Sequence, residues 1–68
     1  MERGTVKWFD KEKGYGFITT TNGKEYFVHK SKVIDLGNGL DQGQMVEFEI
    51  AEGRKGPEAA NVRSLLED

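Results

Sequence analysis

Lys13-Gly14-Tyr15-Gly16-Phe17-Ile18 and, shortly after it, Tyr26-Phe27-Val28-His29 decide the fold. Both stretches read as β-strands, whose side chains alternate between two faces. Alternation puts Tyr15, Phe17, Phe27 and His29 on one face and Ile18 and Val28 on the other. A small globular protein ordinarily buries large rings. Here the inverse fits better, because burying the ring face would also bury Lys13 and His29 and expose the branched aliphatics. The rings then form an exposed aromatic platform, and such a patch calls for a partner. Single-stranded nucleic acid suits it, since every base has a flat face that can stack on a ring.

The rest of the chain extends this pattern. Strands are expected at about residues 5–10, 15–20, 25–30, 44–52 and 58–64. Asn22-Gly23 is a tight-turn signal between the second and third. In the fourth, Val46, Phe48 and Ile50 alternate with Glu47 and Glu49. Gly53-Arg54-Lys55-Gly56 turns the chain into the fifth, and Pro57 fits at that strand's start, where no ladder N–H is lost. Ser31–Gly43 is glycine-punctuated: a short helical turn is expected over Ser31–Ile34 and a mobile loop after it. No segment keeps a helical period, and there is no repeat or linker. Five short strands are too few for an efficient two-sheet sandwich, and closure removes exposed edges. The expected fold is therefore all-β: a small five-stranded antiparallel barrel of the oligonucleotide-binding type. Its core is expected to hold Val6, Ile18, Val28, Val33, Val46, Phe48, Ile50 and Val62.

Two positions resist simple alternation. Trp8 shares parity with Val6, so a bulge or twist is needed to turn it outward. Tyr26 shares parity with Val28 and points at the core, so it is left out of the platform.

The 68 residues fit one domain, 1–68, near the low end for independent folding. There is no Cys, which excludes disulfides and thiol chemistry and favours the cytosol. No apolar run follows Met1-Glu2-Arg3-Gly4, so no signal peptide is expected, and nothing is apolar enough to span a membrane. The net charge of −2 argues at first against nucleic acid. Its distribution argues the other way. Residues 1–32 carry seven Lys or Arg against four acids, and residues 33–68 carry three against eight. The basic half is the half with the rings. Binding should then be dominated by stacking, with a modest dependence on salt.

Lys-Gly-Tyr-Gly-Phe-Ile at 13–18 resembles the first ribonucleoprotein motif of the cold-shock domain family, and Phe27-Val28-His29 the core of the second. Val6-Lys7-Trp8-Phe9-Asp10 resembles the family's opening strand, and 52–62, Glu-Gly-Arg-Lys-Gly-Pro-Glu-Ala-Ala-Asn-Val, its closing hairpin. The four lie in the family's order and spacing. The resemblance implies the same barrel fold and an RNA chaperone that holds strands open. The chain departs from the pattern in three ways. Lys30 stands where the family usually has another aromatic. The stretch 35–40 supplies no ring. Glu25 replaces the commoner Asp. Two missing stacking sites would shorten the footprint and weaken binding, at about 1–3 kcal/mol per stacked base.

Phe17 and Phe27 are the expected central stackers, with Trp8, Tyr15 and His29 around them. Lys7, Lys13 and Lys30 are placed to meet phosphates or base edges. By resemblance, so is Lys55, the basic residue that the family puts in the hairpin before Gly-Pro. His29 is the only histidine, so it has no companion for a metal site or a catalytic dyad. Glu47 and Glu49 read as an ordinary solvated strand face. No enzyme activity, cofactor or metal is expected. The expected partner is single-stranded RNA or DNA, bound by a monomer with little sequence preference. The alternative is a small barrel that uses its rings on a peptide or partner protein.

Overall fold

The computed structural model describes residues 1–34, 40–53 and 56–65. Five strands, β1 (Glu2–Asp10), β2 (Tyr15–Thr20), β3 (Glu25–His29), β4 (Met45–Gly53) and β5 (Gly56–Ser64), close into a barrel in the order β1-β2-β3-β5-β4. One turn of 3-10 helix, Lys30–Lys32, follows β3. Among the described residues no helix is long and apolar enough to cross a membrane.

Three connections follow directly from sequence. Asp10 Oδ1 accepts hydrogen bonds from the backbone N–H groups of Glu12 and Lys13, at 3.0 Å each, and so shapes the β1–β2 turn. Thr20 and Lys24 close the Asn22-Gly23 hairpin: Lys24 N donates to Thr20 Oγ1 at 3.1 Å and Thr20 N to Lys24 O at 2.8 Å. His29 caps the 3-10 turn by accepting from Ser31 N at 3.1 Å.

β1 starts three residues earlier than its apolar alternation indicates. Glu2 to Thr5 form a ladder with β4, from Glu2↔Phe48 to Thr5↔Met45, and this ladder is one of the two seams that close the barrel. The other seam departs from an all-antiparallel plan. β4 runs antiparallel to β1, so β5 returns in the direction of β3, and Phe27 meets Glu58 in a parallel contact. The remaining pairings between strands are antiparallel, and a lone bridge between Val33 and Val62 is parallel.

The interior holds Val6, Ile18, Val28, Val33, Leu40, Val46, Phe48, Ala59 and Val62, with Phe9 and Tyr26 packed partly against them. Tyr26 points inward as its parity requires, its ring 5.6 Å from that of Phe48. Ile50 does not belong to this core: it is 46% exposed. β1 begins only at Glu2, opposite Phe48, so beyond that point β4 pairs only with β5 and no second wall covers Ile50. Leu40, by contrast, lies in the stretch expected to be loop, yet it is only 2% exposed and fills the barrel. Residues 35–39 of that expected loop lie outside the described residues.

Two register shifts tune which side chains face in. One lies between Val6 and Trp8, where β1 carries an extra residue opposite β2. The other lies between Glu47 and Glu49, where β5 carries an extra residue around Asn61, whose φ is 50°. Asn61 tolerates that left-handed backbone better than most residues. Its Nδ2 donates to Glu49 Oε1 at 2.6 Å. The shift lets both Ala59 and Val62 reach the core although they differ in parity.

Candidate nucleic-acid interface

The extra residue in β1 is Lys7. Val6 stays buried opposite Ile18, and Trp8 is turned out opposite Phe17. The next pairings carry the row on: Phe17 sits opposite Phe27, and Tyr15 opposite His29. The sheet thus collects rings from three strands on one outer face. Trp8 lies 5.5 Å from Phe17 and 5.8 Å from Tyr15 between ring centroids. Phe27 lies 5.8 Å from Phe17, edge to face, and 5.9 Å from Tyr15, nearly parallel. These are favourable aromatic spacings, so the four rings brace one another without a core behind each. Trp8 is 38% exposed; Tyr15, Phe17, Phe27 and His29 are half-buried.

Gly16 makes the row possible by what it lacks. It faces inward opposite Phe9. A Cβ there would run into the carbonyl oxygen of Trp8 and come within 2.7 Å of Phe9 Cα. Glycine therefore lets β1 and β2 press together at the bulge that presents Trp8. Its absence of a side chain serves the backbone rather than opening space around the rings, since it points away from them.

His29 is fixed in orientation. Its Nδ1 accepts from Ser31 N and lies 2.9 Å from Ser31 Oγ. A ring nitrogen that accepts leaves the other, Nε2, as the donor of the neutral ring. His29 therefore offers both a flat face and a positioned N–H at the platform's edge.

The cations are less uniformly free than their number suggests. Lys7 Nζ is bound to Glu25 Oε2 at 2.7 Å, and Lys11 Nζ to Asp41 Oδ1 at 2.8 Å, both in exposed ion pairs. Lys13 is exposed in the β1–β2 turn. Lys30 is exposed at the end of β3, its aliphatic stem passing over Gly14. Lys55, expected in the interface, lies outside the described residues. Tyr15, Phe17, Phe27 and His29 line a groove whose far wall is made by Glu52, Gly53, Gly56, Pro57 and Glu58 of the β4–β5 hairpin. The sequence points to that hairpin only through Lys55 and marks none of these five residues. Glu58 is separated from Phe27 by thirty-one positions, and only the parallel closure of the barrel brings them together.

Residues 2–65 match the model of the 'Cold-shock' DNA-binding domain. A cold shock-like protein of Thermotoga maritima is 58% identical over 62 residues, covering 90% of this chain and 94% of that protein. Cold shock protein CspB of Geobacillus stearothermophilus is 52% identical over 66 residues, covering 96% of this chain and all of that one. Among solved structures, drosophila Unr CSD456 superposes with a TM-score of 0.78 at 24% identity, over 96% of this chain. This chain spans 26% of that one, and the likeness speaks for the fold alone. With its closed barrel, its outward row of rings and these relatives, the chain belongs to the cold-shock domain family of nucleic-acid-binding proteins.

Proposed function

We propose that the protein binds single-stranded RNA and DNA through the ring row, with little sequence preference, and acts as an RNA chaperone. The observation that carries this reading is the contiguity of Trp8, Tyr15, Phe17 and Phe27, with centroids 5.5–5.9 Å apart on one outer face. Unpaired bases can stack on such a surface, whereas the bases of a duplex are occupied by their neighbours. Trp8, Tyr15, Phe17, Phe27 and His29 are the stackers. Lys7, Lys13, Lys30 and Lys55 attract the backbone. The chemistry is binding alone, with no catalytic step and no cofactor. Trapping an open strand shifts the folding equilibrium of an RNA by mass action, so no energy source is required. One 68-residue barrel, acting as a monomeric domain in the cytoplasm, suffices for that.

The test is a titration followed by Trp8 fluorescence. Single-stranded oligonucleotides should quench it, and a duplex of the same sequence should bind far more weakly. Equal affinity for duplex, with a steep loss of binding in salt, would identify a phosphate-reading protein instead. No response to any oligonucleotide would favour a peptide or protein as the ligand of the rings.

A further inference from the structure

The row on the outer face does not end at Phe27. Register carries it from Trp8 to Phe17, Phe27 and then Glu58. Glu58 is half-buried and lines the groove beside the rings. Its side chain lies over Gly53 on the facing strand, where a Cβ would overlap the carboxylate and sit 2.9 Å from Cγ. Gly53 thus leaves a seat that holds the acid at the end of the row. The neighbouring acids are differently placed. Glu25 gives its carboxylate to Lys7, and Glu52 is exposed and pairs with Pro57, one step further along the hairpin. Among the described residues no ion pair engages Glu58.

A carboxylate can only accept hydrogen bonds. Guanine presents N1–H and the N2 amino group side by side on its Watson–Crick edge, a match for two carboxylate oxygens. Adenine sets a bare N1 lone pair beside its amino group. Uracil and thymine flank their single N3–H with two carbonyl oxygens, which a carboxylate repels. Unstacked bases are read on these edges in single strands.

We infer that Glu58 makes the platform prefer guanine at the position stacked on Phe27. The inference rests on the single-strand reading and refines it, for the remaining rings still accept any base. It assigns specificity to a residue outside the aromatic and basic set.

The test compares two oligouridines of equal length, one with a single central guanosine and one with a single central adenosine. Both are purines of similar stacking surface, so the ratio of their affinities isolates the hydrogen-bonding edge. Wild-type protein should favour the guanosine strand at least fivefold, the lower bound for a good bidentate base contact. Inosine, lacking the N2 amino group, should fall between. Glu58→Gln keeps the size of the side chain but offers a donor as well as an acceptor. It should bring the guanosine-to-adenosine ratio close to one. A ratio near one in the wild type, or a full ratio retained in Glu58→Gln, overturns the role of Glu58 while leaving single-strand binding intact. Failure of the wild type to bind any of the strands overturns the single-strand reading itself.

Discussion

The two faces of β2 and β3 reverse the usual relation between size and burial. Inside the barrel these strands place Ile18 and Val28, both fully buried. Outside they place Phe17 and Phe27, larger and more apolar in area, yet only half-buried. The cause is the narrowness of a five-stranded barrel. Phe48 is the one fully buried ring among the described residues, with Phe9 and Tyr26 reaching in only partly. The interior has no room for another row of aromatics. The rings outside are therefore not misplaced core. They lean on one another at 5.5–5.9 Å on the outer surface, the kind of exposed ring patch that calls for a partner.

If that division is right, the two faces should respond to truncation in opposite ways. Phe48→Ala removes a ring that nothing can replace inside the barrel. It should destabilise the fold by about 3–5 kcal/mol, read as a drop in the denaturant midpoint, and any loss of binding should follow the loss of folded protein. Phe17→Ala and Phe27→Ala should do the reverse. Each should weaken binding of a single-stranded oligonucleotide by about 1–3 kcal/mol and change the unfolding midpoint little, because an exposed ring leaves no cavity behind. Phe variants that unfold while Phe48→Ala stays folded would show the assignment of the faces to be backwards.

Much of this division was legible in the sequence. Strict alternation in β2 and β3 separates Ile18 and Val28 from the rings, and the charged and polar neighbours Lys13 and His29 tell which side is out. The need for a bulge at Trp8 was legible too, from its shared parity with Val6; the register shift at Lys7 supplies it. What could not be read was anything set by closure. Ile50 keeps the alternation of Phe48, but whether it is covered depends on where β1 begins, and β1 begins at Glu2. Leu40 looks like one more loop residue until the barrel folds around it. Ala59 and Val62 differ in parity, and only the shift at Asn61 brings both inside. Glu58 reaches the platform through the parallel β3–β5 contact, a pairing with no local signature. Local alternation is written along the strand; the ends of seams and the partner across a closure are properties of the whole chain.

The rim of the platform offers a finer test. Lys30 follows His29 at the end of β3, exposed, where a further ring would lengthen the row. Lys30→Phe loses one exposed charge contact, worth under about 1 kcal/mol, and adds a stacking face worth about 1–3 kcal/mol. Affinity for a long oligothymidine should rise, and the gain should shrink with short strands that do not reach the new ring. Unchanged or weaker affinity would place the strand's path away from this corner, or show that Lys30 itself contacts the backbone.

The smallest expected effect concerns charge rather than stacking. Lys7 lies at the bulge that turns Trp8 outward, yet its ammonium is held by Glu25 at 2.7 Å. Both side chains are about half exposed, so the pair contributes little to stability, under about 1 kcal/mol. Its larger consequence is to cancel a positive charge beside the rings. Glu25→Gln keeps the hydrogen-bonding reach but removes the negative charge, leaving Lys7 to a phosphate. Affinity for single strands should rise modestly at low salt. The gain should fade as salt is added, because each phosphate newly neutralised steepens the logarithmic salt dependence by about 0.7. Measuring binding of one oligonucleotide to both proteins across a salt series separates the possibilities. A steeper line for Glu25→Gln assigns Lys7 to the backbone path and shows that the ion pair moderates the platform's charge. Parallel lines would mean that no phosphate passes Lys7, and that binding near Trp8 rests on the rings alone.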